Sequence, residues 1–284
     1  MCAPDLTHPH GHTHTHPDGE VRSPDRRRFL KSSVAIGAGA ALATVGPALP
    51  AAAFPKRANR VTDLTHRLVK TFPSFFGPQA VFDEVLTTYS DGFFSKEWTL
   101  VEHIGTHMDS PGHFDEGNVL VDVVDPDDLV APIVVVDITA KAMADPNAMV
   151  EPEDLVAFER RNGRIPRRAL VCMNSGWDAK VGNGDDFRGG GGFPDLNFPG
   201  FSLAATEWLV ERRDPVGIAV DTMSLDPGNS QTFDVHNEFL ATGRYGIEAI
   251  ANLDSVPSRG ALGFVGVVPW EDGSGAPCRI IAAW

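Results

Sequence analysis

Four short runs of mainly apolar residues constrain the fold of this chain more than any other feature of its sequence. They occupy residues 132–138, 169–173, 216–220 and 262–268. Apolar residues that follow one another without alternation are typical of strands buried on both faces. We therefore expect a sheet that is covered on both sides.

Helical segments separate these runs. Residues 152–161 begin with Pro152, carry acidic residues in the first turn and basic residues in the last, and precede Gly163. Residues 202–213 offer Ser202 as an N-cap. A short helix at about 235–242 should end at Gly243. Strands separated by helices predict the α/β class, and no internal repeat or long linker divides the chain beyond residue 53.

The first 53 residues have the pattern of an export signal. Residues 25–31 read Asp-Arg-Arg-Arg-Phe-Leu-Lys, an uncharged stretch follows from 32 to 53, and residues 51–53 offer a small-residue cleavage site. We expect export by the twin-arginine route to the periplasm or the extracellular space, with residues 54–284 as the mature domain. An uncleaved N-terminal anchor is the alternative, although the stretch is rich in Gly and Ala for a membrane span.

Five histidines lie before the arginines, alternating with Thr, Pro and Gly between His8 and His16. The tract could chelate a metal loosely, or it could be a low-complexity leader. Both interpretations stay open, and cleavage after residue 53 would remove the tract.

Charge and cysteine content exclude several classes of partner and site. The formal net charge of −14 disfavours nucleic acid and anionic membrane surfaces, because their phosphates would be repelled. A small neutral or weakly charged molecule is the more natural substrate. Beyond the signal only Cys172 and Cys278 remain, too few for a thiolate zinc site. Their apolar surroundings favour small core residues over a disulfide.

The residues with the clearest chemistry form one cluster. Three of the five histidines beyond residue 53 fall within residues 103–113, and Asp109 lies among them. Imidazole and carboxylate together are the ligands that Zn²⁺ and Mn²⁺ prefer. Ile104 occupies the position where a helical metalloprotease motif needs Glu, so the cluster is not of that type.

Glycine and proline in the cluster indicate a turn. Gly105, Pro111 and Gly112 are typical of a strand end that leads into a loop. We expect His103, His107 and Asp109 to converge on one ion there, with the chain turning back to bring His113 over it. This arrangement would leave room for water at the ion.

The segment from His103 to Phe114 resembles the signature of the cyclase family of metal-dependent hydrolases, His-x-Gly-Thr-His-x-Asp-x-Pro-x-His-Phe, at every position. Kynurenine formamidase (an arylformamidase) and isatin hydrolase are characterised members. Further likenesses at Asp63–His66, Ser175–Asp178, Asp221–Asp226 and Gly273–Arg279 extend the resemblance over nearly all of residues 61–283. It implies a single domain of the swivelling β/β/α type, with a mixed sheet or barrel and flanking helices.

The resemblance also implies a site. Five residues match the family's metal ligands: His103, His107, Asp109, His236 and Glu248. One or two divalent ions, Zn²⁺ or Mn²⁺, would be bound, and Asp109 and Glu248 would bridge two. His113 matches the catalytic acid–base histidine, and the family implies a homo-oligomer, a dimer or a tetramer.

The candidate ligands predict metal-activated water, and the resemblance implies a hydrolase that uses it to cleave a C–N amide bond. The substrate would be a small aryl formamide or a cyclic aryl amide. The segment 72–77 lacks the Trp of kynurenine formamidases, and the added length through 140–200 resembles the isatin hydrolase branch. An exported metal-binding protein without catalysis, and a cyclase or lactone hydrolase acting on another carbonyl compound, stay open. A serine hydrolase is disfavoured, since Ser175 lacks the glycines of a nucleophile elbow.

Aromatic residues are concentrated before the histidine cluster. They are Phe72, Phe75, Phe76, Phe93, Phe94 and Trp98. Such a set could line a pocket for a flat ring or could belong to the core, and the sequence favours neither.

Overall fold

The apolar runs form strands of a closed barrel in the computed structural model, which describes residues 58–75 and 80–284. Strands lie at β1 (Val61–Asp63), β2 (Val81–Thr87), β3 (Ser95–Leu100), β4 (His107–Asp109), β5 (Val130–Asp137), β6 (Met149–Val150), β7 (Leu170–Asn174), β8 (Gly200–Phe201), β9 (Gly217–Val220), β10 (Tyr245–Glu248), β11 (Arg259–Val267) and β12 (Gly275–Ala283). The predicted export signal, the leader histidines and Phe76 lie outside the described residues.

Seven strands close the barrel in the order β4–β12–β11–β5–β7–β9–β10, and β10 pairs with β4 again. The pairings of β5, β7, β9 and β10 are parallel, and the others in the barrel are antiparallel. Strand β1 adds to the free edge of β12 at Ala283. The predicted α/β class and the mixed barrel with flanking helices are confirmed.

Alternating residues of the parallel strands enter two different cores. On β5, Ile133 and Val135 point into the barrel, whereas Val134 and Val136 pack outward against the helices. All four side chains are less than 5% exposed. This double burial explains the continuous apolar runs in the sequence.

In the described part of the chain, four α-helices connect or flank the strands: α1 (Thr139–Ala144), α2 (Pro152–Asn162), α3 (Gly184–Arg188) and α4 (Leu203–Arg212). The predicted helix signals act as expected. Pro152 opens α2 and Gly163 ends it at a positive φ of 83°, while the Ser202 side chain accepts a hydrogen bond from the Ala205 N–H. The third predicted helix is largely a π-helix, His236–Leu240, followed by a turn at Gly243.

The last apolar run departs from the predicted double burial. In β11, Ala261 and Val265 face the barrel core, while Phe264 is 42% exposed. The strand pairs with β5 and β12, and its outer face meets solvent. Burial therefore alternates along β11, as is typical of a sheet with one face on the core and one toward solvent.

Strands β2 and β3 form a separate antiparallel hairpin. Several of its large apolar side chains are exposed, with Tyr89 at 82%, Phe93 at 61% and Trp98 at 47%. Within residues 58–75 and 80–284, no helix has the length and apolar character that crossing a membrane requires.

The short strand β4 closes the barrel. Met108 is fully buried in the barrel core, directly opposite Ile247 of β10, and Ala276 of β12 faces it from the other side. Cys172 and Cys278 are both buried and unpaired in the same core, as predicted.

We expect Met108→Ala to lower the free energy of unfolding by about 2 to 5 kcal/mol, since it leaves a cavity where the barrel closes. Chemical denaturation followed by circular dichroism measures the change. Met143→Ala is the matched control, because Met143 is 89% exposed. Equal stability of the two variants would contradict this account of barrel closure.

Candidate metal centre

Strand register brings two candidate ligands together. Glu248 of β10 lies directly opposite His107 of β4, so their side chains project from the same face of the sheet. Asp109, two residues after His107, shares that face, whereas Met108 between them points into the barrel. Because side chains alternate along β4, this three-residue strand places two candidate ligands on one face of the sheet and a core residue on the other.

His236 reaches the same place from the start of the π-helix. Its Nδ1 donates a hydrogen bond to Asp226 Oδ2 at 2.6 Å, and Asp226 also accepts from the backbone N–H groups of Val235 and His236. The Nε2 atom is then free to face Asp109 and Glu248. A carboxylate behind a histidine is the usual device that orients a metal ligand.

His103 enters from the loop before β4. Gly105, at φ 70°, lets the chain turn between His103 and His107. Gly275 on β12 makes room for the imidazole, since a Cβ at that position would lie 2.4 Å from His103 Cε1. The His103 side chain is 24% exposed, which makes it the most accessible of the candidate ligands.

The five residues form two overlapping groups that share Asp109. The first contains His103, His107 and Asp109, and the second contains Asp109, His236 and Glu248. Within each group the ligand atoms lie within 4.8 Å of one another. Glu248 Oε1 is 3.2 Å from His236 Nε2, and Glu248 Oε2 is 3.4 Å from His107 Nε2. The proximity predicted for Glu248 and His236 is therefore observed.

The electrostatics of the cluster favour positive charge at its centre. Burial lowers the pKa of His107, but the carboxylates of Asp109 and Glu248 raise it overall to about 9. Burial opposes the charge on Asp109, yet the imidazoles of His103, His107 and His236 hold its pKa well below the usual range. Burial and the charge of Asp109 raise the pKa of Glu248.

Two buried polar atoms test whether a cation fits. His107 Nε2 and Asp109 Oδ2 have no hydrogen-bond partner among the described residues. The His107 Nδ1 already donates to the Gly105 carbonyl at 2.9 Å, so Nε2 presents a lone pair. Leaving each atom unsatisfied costs about 1 to 3 kcal/mol. A divalent cation would satisfy both, and the imidazole and carboxylate set suits Zn²⁺ or Mn²⁺.

His113 lies beside the ligands without belonging to either group. It ends a 3₁₀ turn, Pro111–His113, and its ring stacks on His103 with centroids 3.9 Å apart. The His236 ring is 6.1 Å away. Burial lowers the pKa of His113 to about 4. The expected turn at Pro111 is present, and it directs this imidazole over the cluster.

The cluster forms the floor of a cavity of about 320 Å³. Its walls are mainly apolar and include five phenylalanines: Phe72, Phe75, Phe114, Phe193 and Phe233. Phe193 and Phe233 stack at 6.3 Å, and Phe114 lies 4.8 Å from the His236 ring. Among the described residues that line it there is neither Lys nor Arg. Such a cavity suits a flat, uncharged ring.

The aromatic residues of the sequence divide between two places. Phe72 and Phe75 line the cavity, whereas Phe93, Phe94 and Trp98 lie on the exposed β2–β3 hairpin. For these last three, both the pocket and the core interpretations were wrong. Phe114, Phe193 and Phe233, which complete the walls, carry no signal in the sequence that would group them, because they come from three separate segments.

Two other side chains have structural partners. Ser175 donates to the Asp221 carboxylate at 2.6 Å, so the partner of its hydroxyl is an aspartate and not the histidine of a catalytic triad. His66 lies outside both candidate metal groups, and its ring is 5.9 Å from Phe72. This position separates His66 from the candidate ligands.

Three supporting residues escaped prediction from the sequence. Asp226 holds His236, Ser274 contacts His103 Nε2 at 2.9 Å, and Gly275 leaves space for the His103 ring. Each lies in a segment that resembles the family. Only the folded chain reveals which ligand each one supports.

Several known proteins are similar to this chain in sequence and in fold. The family model "Putative cyclase" matches residues 62–227. Isatin hydrolase of Roseibium aggregatum is 30% identical over 203 residues, covering 68% of this chain and 76% of that protein. Kynurenine formamidase of Polaromonas naphthalenivorans is 27% identical over 206 residues, covering 71% and 80%.

A solved structure agrees with these relatives. Isatin hydrolase A from Ralstonia solanacearum superposes with a TM-score of 0.75 and 32% identity, covering 79% of this chain and 91% of that one. The family model spans more than half of the chain. The chain therefore belongs to the cyclase family.

Proposed function

We propose that this protein is a metal-dependent hydrolase that cleaves the C–N amide bond of a small, uncharged cyclic aryl amide of the isatin type. One observation carries the proposal. Two buried carboxylates and three imidazoles converge at the floor of a phenylalanine-lined cavity, with His113 stacked beside them. Isatin hydrolases among the relatives support the choice of substrate class.

The five proposed ligands form two positions for a cation. His103, His107 and Asp109 would hold one ion, and Asp109, His236 and Glu248 offer a place for a second. When bound, Zn²⁺ or Mn²⁺ supplies Lewis-acid chemistry that makes water a nucleophile near neutral pH and polarises a carbonyl oxygen. Asp226 and the Gly105 carbonyl keep the Nδ1 atoms of His236 and His107 occupied, so that Nε2 points inward.

We assign proton transfer to His113. Its imidazole lines the cavity next to the ligands, and it lies within neither of the two groups that could hold an ion. It can take a proton from the attacking water and deliver it to the departing amide nitrogen. The Phe114 ring packs against it at 4.8 Å and keeps that side of the cavity apolar.

The walls of the cavity favour a ring without a charged tail. An aryl formamide that carries an amino-acid group would bring an ammonium and a carboxylate, which are costly to bury without polar partners. The described residues that line the cavity include neither Lys nor Arg to pair with such a carboxylate. A kynurenine formamidase activity, which one relative suggests, is therefore the second candidate.

An assay with isatin and N-formylkynurenine on the metal-loaded protein tests the function. We expect the kcat/KM for isatin to be at least about tenfold higher than that for N-formylkynurenine. One unpaired buried charge of N-formylkynurenine costs more than about 1.4 kcal/mol, which corresponds to a factor of ten. A chelator should abolish the activity. The reverse preference would favour the second candidate, and failure to hydrolyse either amide would overturn the proposal.

Asp109→Asn should weaken metal binding by more than about 100-fold. Loss of a supporting residue alone costs 10- to 100-fold, and Asp109 is the one carboxylate shared by both groups. Competition with a chromophoric chelator measures the affinity. Asp122→Asn, at an exposed position, should bind like the wild type. Unchanged affinity in Asp109→Asn would remove this residue from the site.

His113→Ala should lower kcat by roughly 10²- to 10⁴-fold while the metal content stays near normal. Steady-state kinetics and elemental analysis of the same sample measure both. His66→Ala serves as a histidine control outside the cluster. If the metal is lost together with activity, His113 is a ligand and its assigned role is wrong.

We further propose that residues 1–53 direct export by the twin-arginine route and that residues 54–284 act as a homo-oligomer. Arg26–Arg28 and the small residues 51–53 support export. The exposed aromatic residues of the β2–β3 hairpin support association. Cell fractionation and light scattering test the two points; a protein that stays in the cytoplasm or a monomer would refute the corresponding one.

A further inference from the structure

The turn before β12 places a serine between a carboxylate and a candidate ligand. Ser274 Oγ lies 2.6 Å from Glu102 Oε2 and 2.9 Å from His103 Nε2. The Ser274 backbone N–H also donates to Glu102 Oε2, at 3.1 Å. Glu102, Ser274 and His103 therefore form a continuous hydrogen-bonded chain that ends at the metal centre.

The direction of these bonds follows from counting hydrogens. Glu102 Oε2 accepts from a backbone N–H, and a carboxylate acts as an acceptor toward the hydroxyl as well. The single hydroxyl hydrogen of Ser274 is thus used on Glu102. Toward His103 the Ser274 oxygen can only accept, so Nε2 of His103 bears a hydrogen.

The same count gives the opposite orientation for the other two histidines. His107 and His236 donate from Nδ1, to Gly105 O and Asp226 Oδ2, and present Nε2 to the site. His103 donates from Nε2, and its Nδ1 faces Asp109 Oδ1 at 2.7 Å, where a bound cation would take the place of the Nδ1 hydrogen. The two sides of the cluster are therefore built from different imidazole nitrogens.

We propose that Ser274 and Glu102 are positioning residues that hold His103 as an Nδ1 ligand. The inference rests on the metal site of the proposed function. His103 needs such support more than its neighbours do, because its side chain is 24% exposed whereas those of His107 and His236 are 5% and 6% exposed. Water could otherwise compete for Nε2 and permit the other tautomer or a rotated ring.

Metal affinity tests the proposal without recourse to activity. We expect Ser274→Ala to raise the Kd for Zn²⁺ by about 10- to 100-fold in competition with a chelator. Ser255→Ala is the matched control, because Ser255 contacts the carboxylate of Asp254 on the surface, away from the site. The control should keep wild-type affinity.

Substitution of Glu102, the proposed hydrogen-bond acceptor, provides a second test of metal affinity. Glu102→Gln keeps an oxygen that can accept from Ser274 and should stay within about threefold of wild type, whereas Glu102→Met should resemble Ser274→Ala. In Glu102→Met the Ser274 hydroxyl is free to donate to Nε2, which would place the ring hydrogen on Nδ1. Equal affinities for Gln and Met at this position would contradict the proposed direction of the hydrogen bonds.

Nitrogen NMR of the zinc-loaded wild-type protein reads the tautomer directly. The His103 signal, assigned by its loss in His103→Gln, should carry its hydrogen on Nε2. A hydrogen on Nδ1, or an unaffected Ser274→Ala in a protein that binds zinc, overturns this assignment alone. A wild-type protein that binds no divalent ion overturns the metal site and the assignment together.

Discussion

Closure of the barrel by a three-residue strand is the constraint on which the rest of the structure depends. Strand β4 pairs with β10 on one side and β12 on the other, and without it the sheet would end at two open edges. Side chains alternate across a strand, so the same three residues supply one core residue, Met108, and two candidate ligands, His107 and Asp109. Strand β4 therefore contributes both to the stability of the barrel and to the candidate metal site.

The charge of the site is the second constraint. Asp109 and Glu248 are buried within a chain whose formal net charge is already −14. Burying a carboxylate without a compensating charge is costly, and the unpartnered Asp109 Oδ2 adds to that cost. A divalent cation offsets both, which gives the metal a structural role besides its proposed chemistry. A further carboxylate, that of Asp226, lies behind His236 and orients its imidazole by a hydrogen bond.

The cavity above the site joins segments that are far apart in the chain. Phe75, Phe114, Phe193 and Phe233 come from four separate loops and meet through ring contacts of 5.7 to 6.3 Å. Loops tolerate sequence change better than barrel strands do, because few core contacts depend on them. A change in the walls of this cavity should therefore disturb the barrel less than a change in its His and carboxylate floor.

The sequence by itself determined the elements and the chemistry. Continuous apolar runs predicted buried strands, Pro152 and Gly163 bounded a helix, and the signature from His103 to Phe114 predicted three of the candidate ligands and His113, because these signals are local. Only the tertiary structure decided the partners. Ser274 reaches His103 across 171 residues, and one face of β11 is exposed to solvent although its sequence is a continuous apolar run. Such contacts depend on strand order and register, which the spacing of residues along a chain does not encode.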